Sequence, residues 1–272
     1  MRGAEKTTVQ VRFLGAHQSE AIDRRFTGLL IDGWLAIDAG SLATGLTVDE
    51  QLAVSDVLIT HQHWDHVKDL GGFGFNRFSA KATGRDLAAA TIYCTDDVRR
   101  IVSERLFGDG FWLDFFESPA EQPTFAHKSV VPGSTFTIQG YQIQAVPVNH
   151  SVPVNGYQVT DRAGRSVYYT GDNGPGCGQY WAQAQPELLI TECTYSNTLA
   201  DLEGGTMHGH LCPTQLGQEL ATFREARGYL PLVAVLHVNP FYQREVESEL
   251  AVVARELNAA IDVAFDGMIR SL

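Results

Sequence analysis

One stretch of eleven residues, Thr60 to Leu70, constrains this chain more than any other. It reads THQHWDHVKDL and places His61, His63, Asp65 and His66 within six positions. The apolar run before it, Val57-Leu58-Ile59, has the character of a buried strand. Val67-Lys68-Asp69-Leu70 then reads as a first helical turn that Gly71-Gly72 stops. A donor cluster between a strand and a helix lies where open α/β sheets gather ligands. In extended chain, residues two apart point to one side, so His61 and His63 offer two imidazoles to one ion. The bend into the helix brings Asp65 and His66 to a neighbouring point. Imidazole and carboxylate donors suit zinc, manganese or iron. Two such ions about 3.5–4 Å apart clamp an in-line displacement and activate water at neutral pH.

Upstream, Val9–Leu14 alternates as a strand, and Phe26–Ile31 and Trp34–Ile37 form a hairpin around Asp32-Gly33. Ser41–Leu52 reads as a helix with Thr47 as a candidate N-cap. Ala89–Cys94 reads as a strand and Thr95–Leu106 as a helix capped by Thr95. The segment Phe107–Phe116 carries five aromatic residues. It is expected to pack under a loop, to form a subunit contact or to line a pocket. Strands follow at Val130-Val131, Ser134–Ile138, Tyr141–Val148, Tyr157–Thr160, Ser166–Thr170, Leu188–Thr191 and Leu232–Leu236. Helices are expected over Cys177–Ala184, Thr214–Arg227 and Tyr242–Leu257, and two short strands close the chain. The absence of repeats and linkers predicts one domain, residues 1–272, made of two ββα-like halves.

The motif HQHWDH resembles the H-x-H-x-D-H signature of the metallo-β-lactamase superfamily. That resemblance implies an α/β fold, a four-layer αββα sandwich, with a mono- or dinuclear metal site at one edge. It asks for further ligands downstream, each after a strand, and His150, Asp172 and His237 fall in such places. By similarity, His61, His63 and His150 bind one metal ion and Asp65, His66 and His237 a second, with Asp172 bridging them. Asp38, in Asp38-Ala39-Gly40, corresponds to a carboxylate that supports the metal loop in the family; a plain turn residue is the alternative.

Finer likeness narrows the branch. His150-Ser151 with Gly156-Tyr157, and Tyr169-Thr170-Gly171-Asp172, resemble ribonuclease Z. Gly209-His210-Leu211-Cys212-Pro213 and His237-Val238-Asn239-Pro240 resemble class II cyclic-nucleotide phosphodiesterases. This implies a metal-dependent hydrolase in which Asp65 and His210 take part in catalysis. His210 then donates a proton to the leaving oxygen or hydrogen-bonds the phosphate. His208 either supports it or faces solvent. His17 and His127 are expected to be solvated, and Trp64 to pack as the first apolar residue of its helix, with a pocket wall as the alternative.

The expected substrate is a small phosphodiester such as a cyclic nucleotide. A lactone, ester or thioester hydrolase and a ribonuclease Z-like nuclease are the alternatives. The expected cofactors are two divalent metal ions, zinc first, with manganese and iron open. A net charge of −12 and the lack of a long basic arm predict no stable nucleic acid complex. No apolar run reaches the ~18 residues of a membrane span, and Met1–Lys6 has no apolar leader pattern. The four cysteines are scattered, which fits free thiols. A cytoplasmic protein, without membrane contact and with a homodimer as the candidate assembly, is the resulting expectation.

Overall fold

The computed structural model describes residues 8–108, 110–202 and 209–272. The amino-terminal segment read for a leader, and His208, lie outside the described residues.

The first sheet begins with β1 (Gln10–Gly15), β2 (Gly28–Ile31) and β3 (Leu35–Ile37), paired antiparallel in turn. Asp32 and Gly33 both take positive φ, the handedness a tight hairpin turn needs. Then β4 (Asp56–Leu58), β5 (Ala90–Cys94) and β6 (Phe125–Ser129) add in parallel. The second sheet holds β7 (Thr135–Ile138), β8 (Tyr141–Val148), β9 (Val154–Thr160), β10 (Ser166–Tyr169), β11 (Leu188–Glu192), β12 (Leu232–Leu236) and β13 (Ile261–Val263), side by side. The last strand, β14 (Ile269–Ser271), crosses back and pairs with β1, so each sheet has seven strands.

Period-two alternation explains the layers. In β2, Leu29 and Ile31 face the second sheet while Leu30 faces out; in β10, Val167 and Tyr169 face in while Tyr168 faces out. The inward residues of both sheets form one core, with Phe13, Ile37, Leu58, Tyr157 and Leu236 among them.

Helices α1 (Val48–Ala53), α2 (Trp64–Val67), α3 (Leu70–Ala82) and α4 (Asp96–Ile101) belong to the first half. Helices α5 (Gly178–Trp181), α6 (Asn197–Leu202), α7 (Pro213–Arg227) and α8 (Gln243–Leu257) belong to the second. Leu70 and Phe73 of α3 cover the outer face of the first sheet; Leu216, Leu220 and Val246 of α7 and α8 cover that of the second. The result is the expected αββα sandwich of the metallo-β-lactamase fold.

Several local expectations change. The helix read over Ser41–Leu52 starts only at Val48. Thr47 is its cap, with Thr47 and Glu50 bonded reciprocally. Gly71-Gly72 does not stop a helix: α3 runs through both to Ala82. Tertiary contact overrides the weak helix preference of glycine. Buried Arg77 bonds the carbonyls of Leu52, Val54 and Ala88, and Gly74 sits so close to the Phe115 ring that a Cβ there would meet it. The helix after Thr95 widens over Val102–Leu106 into π geometry. The strand before β7 is Phe125–Ser129, not Val130-Val131. Its mixed FAHKS sequence hides it, because an edge strand needs no continuous apolar face.

Candidate metal centre

Five of the seven expected donors leave the ends of strands on one rim of the sandwich, and Asp65 and His66 stand on the short α2 that follows. His61 and His63 follow β4, His150 follows β8, Asp172 follows β10 and His237 follows β12. The loops are tied across the sheets: Tyr157 donates its hydroxyl to the Ile59 carbonyl, and the Asn155 amide donates to the Thr60 carbonyl. His61, His63, His150 and Asp172 converge in one group, and Asp65, His66, Asp172 and His237 in a second, with donor atoms within 4.8 Å of one another in each. Asp172 belongs to both. Its Oδ1 lies 3.3 Å from His66 Nε2, and its Oδ2 lies 3.7 Å from His61 Nε2 and 3.5 Å from His237 Nε2. The seven residues expected from the sequence are therefore brought together as two adjacent donor sets sharing one carboxylate.

The surroundings settle which nitrogen of each ring faces inward. A carboxylate only accepts, so the Thr60 hydroxyl donates to Asp38 and accepts from His61 Nδ1, at 2.9 Å in each contact. Thr194 does the same between Glu192, at 2.7 Å, and His237 Nδ1, at 2.9 Å. His66 Nδ1 donates to Asp38 Oδ2 at 2.7 Å, and His150 Nδ1 to the Gly209 carbonyl at 2.9 Å. All four rings thus have Nδ1 committed to an outer partner and turn Nε2 to the centre, the arrangement that outer partners impose on metal-binding imidazoles. The Nε2 atoms of His61, His66 and His150, and Oδ1 of Asp172, are buried without a hydrogen-bond partner among the described residues. Buried polar atoms are nearly always satisfied; four orphans aimed at one place fit divalent cations, and the nitrogen–oxygen donor set suits first-row metals.

Electrostatics agree. Burial, then the neighbouring His66, push His61 well below the usual histidine pKa, and burial lowers His63 and His150. Neutral rings are what a metal requires. Burial opposes charge on His66, yet Asp172, Asp65 and Asp38 together raise its pKa well above the ordinary value. Burial would raise Asp65 and Asp172, but the facing histidines hold both carboxyls below the usual range. His66 therefore carries a proton that a metal must displace.

Asp38 lies fully buried beneath this loop, as expected, and also accepts the Thr60 amide at 2.8 Å. It and His237 hold φ of 60° and 61°. Left-handed backbone at a non-glycine residue costs about 1–2 kcal/mol and gathers at functional sites.

His210 stands beside the seven donors, its ring 5.0 Å from His150 and 5.1 Å from His237. Sequence reading missed its partner. Glu192, fully buried at the end of β11, accepts from His210 Nδ1 at 2.8 Å and from the amides of Asn173 and Leu211. Burial would lower the His210 pKa, but Glu192 outweighs it and lifts it to about 9. The available signal was an acid closing an otherwise apolar strand, Leu188-Leu189-Ile190-Thr191-Glu192; such a residue must have a partner.

Other expectations change. Trp64 does not pack; it is 60% exposed between His63 and Asp65. His17 is buried and paired with Asp266 at 3.1 Å, and its segment bridges Val238 beside His237. His127 is half-buried on β6, 3.2 Å from the Cys94 carbonyl. Phe107, Phe115 and Phe116 are core residues, whereas Phe111 and Trp112 are exposed. All four cysteines are free and buried. No helix among the described residues is long and apolar enough to cross a membrane.

A sequence model described as the beta-lactamase superfamily domain matches residues 27–231. Among solved structures, unliganded yeast PDE1 is similar with a TM-score of 0.81 at 17% identity, over 97% of this chain and 99% of that one. The metallo-beta-lactamase fold protein YhfI from Bacillus subtilis has a TM-score of 0.76 at 19% identity, over 97% and 100%. The short form of human tRNase Z has a TM-score of 0.62 at 18% identity, over 96% and 98%. At these identities the likeness is one of fold.

Proposed function

The chain belongs to the beta-lactamase superfamily and is a metal-dependent hydrolase; we propose that it cleaves a small phosphodiester, a cyclic nucleotide foremost, at a two-ion centre. In this reading His61, His63 and His150 hold one ion, Asp65, His66 and His237 the other, and Asp172 both. Bound there, divalent cations, zinc first, would acidify water and neutralise charge on the phosphate.

The observation that carries the reading is the Glu192–His210 pair. His210 abuts both donor sets but tops up neither group of four. Its Nδ1 is committed to Glu192, so its Nε2 is the end available to substrate. A pKa of about 9 keeps it protonated at neutral pH, which suits an acid for an alkoxide that leaves poorly. An acyl ester or lactone has less need of one. Asp65, whose side chain is 20% exposed, accepts a proton from the attacking water. The water oxygen forms the new bond to phosphorus, the bond to the leaving oxygen breaks, and His210 protonates that oxygen. Glu192 then faces a neutral imidazole until a proton returns. The name tRNase Z, borne by one similar fold, also belongs to phosphodiester chemistry. The net charge of −12 favours a small substrate over a polymer that must be held by basic residues.

The test is a panel on the metal-loaded protein: cyclic AMP, an aryl phosphodiester, a lactone and a thioester. His210→Ala should keep both ions and lose about 10²–10⁴-fold in turnover of cyclic AMP. The loss should be smaller for a nitrophenolate leaving group, which needs little protonation. Preferential turnover of the lactone or thioester, with His210→Ala at the wild-type rate, overturns the proposal.

A further inference from the structure

Beyond His210 the site continues as a file of rings. Tyr195, half-buried three residues after Glu192, lies 6.0 Å from His210 at an interplanar angle of 75°. Tyr242 lies 6.4 Å from Tyr195 at 67°. Both are edge contacts, so Tyr195 is held by two neighbouring rings and stays part-exposed beside the proton donor. The adjoining Phe241 is 86% exposed. Its amide is bonded to Asn239, which is itself bonded to Gln18, so the outer end of the file is built into the loop after His237. None of these rings is needed to hold the donor sets.

We propose that Tyr195 is a specificity-determining residue that stacks a planar ring, of the nucleobase kind, carried on the leaving-group side of the substrate. The inference rests on the phosphodiester reading and extends it. Its position follows from His210: the Tyr195 ring lies 6.0 Å from the ring that protonates the leaving oxygen, within reach of a group carried on that oxygen. The chemistry follows from the surface. A braced aromatic ring loses little freedom when a flat ring stacks on it, and such stacking accepts any base. The acidic chain has no excess of basic residues with which to attract the phosphate from a distance, so contact with the ring supplies discrimination.

The test uses the metal-loaded full chain, with cyclic AMP and with glycerophosphoethanolamine, a diester without a ring. Tyr195→Ala should lower the ratio of kcat/KM for cyclic AMP over that for the ringless diester by about 5- to 150-fold, chiefly through KM. Tyr195→Phe should keep the wild-type ratio. Calorimetric binding of AMP should weaken by a similar factor in Tyr195→Ala alone. An equal loss on both diesters would make Tyr195 a mere support for His210 and overturn the proposal, as would an unchanged ratio. If the wild type cleaves neither diester, the phosphodiester reading fails by itself, and AMP binding decides the stacking: binding lost in Tyr195→Ala sustains it, and no binding or unchanged binding ends it.

Discussion

Replacing Asp38 tests whether the metal loop is held by the contacts described. Asp38 is completely buried and accepts the Thr60 amide at 2.8 Å, the Thr60 hydroxyl at 2.9 Å and His66 Nδ1 at 2.7 Å. Asp38→Ala strands a buried amide and a buried imidazole N–H, each costing about 1–3 kcal/mol. It also puts alanine at φ 60°, for about another 1 kcal/mol. The losses are not independent, so roughly 3–5 kcal/mol is expected, a large part of a typical 5–15 kcal/mol stability. Asp38→Asn tolerates the left-handed backbone but offers one carbonyl where two oxygens now accept, so about half that loss is expected. Metal affinity should fall about 10–100-fold for the ion that uses His66, whose tautomer is no longer set. The ion that uses His61 should fall less, because Asp38 reaches that ring only through Thr60. Thr60→Val keeps the amide on Asp38 but removes the hydroxyl under His61, so the order should reverse. The assays are urea unfolding of the metal-free protein and a chelator titration that resolves two affinities. If Asp38→Ala loses stability while both affinities stay at wild type, the support runs through the fold alone and the argument fails.

Metal loading should tighten as pH rises, since carboxylates hold a proton on His66 that the ion must displace; calorimetry at several pH values in buffers of differing ionisation heat would show proton release, and pH-independent affinity would contradict it. In the metal-free protein the raised His66 pKa works the other way. Its stabilisation is complete below about pH 6.5, the unfolded value, and is lost as pH rises through the folded value, so the metal-free melting temperature should fall on alkalinisation. Turnover of a diester with an alkyl leaving group should decline once pH exceeds about 9, where His210 loses its proton. Bound cations would move that limb lower, and His210→Ala should abolish it. On α3, Gly74→Ala would drive a Cβ to 2.4 Å from the Phe115 ring and should destabilise by about 1–3 kcal/mol. Gly71→Ala meets nothing within 4 Å and should stabilise by up to ~1 kcal/mol. If the expected homodimer forms, the exposed Phe75–Trp112 pair, 5.5 Å apart, is its proposed contact. Sedimentation of Trp112→Ser should then show monomer, and a monomeric wild type removes the idea.

Much of the centre was legible in the chain because its chemistry is local. His61, His63, Asp65 and His66 lie within six residues, and a strand's period of two aligns the first pair without help from the rest of the protein. The other donors, His150, Asp172 and His237, were legible through the family resemblance, which asks for ligands just past apolar strands. The helix through Gly71-Gly72 and the edge strand Phe125–Ser129 were not. Their stability comes from partners far away in sequence: Phe115 against Gly74, the carbonyls that Arg77 collects, and β5 beside β6. Only the folded structure joins Glu192 to His210 and Thr194 to His237. It alone supplies the buried carboxylate that raises His210 against the lowering effect of burial, and it alone shows that Asp38–Thr60–His61 and Glu192–Thr194–His237 are one hydroxyl relay built twice. The first four donors could be read because each is a residue type in a local pattern, and the other three because the resemblance asks for them; the tautomers and proton affinities could not, because they depend on which distant group each nitrogen meets and on the water that folding removes.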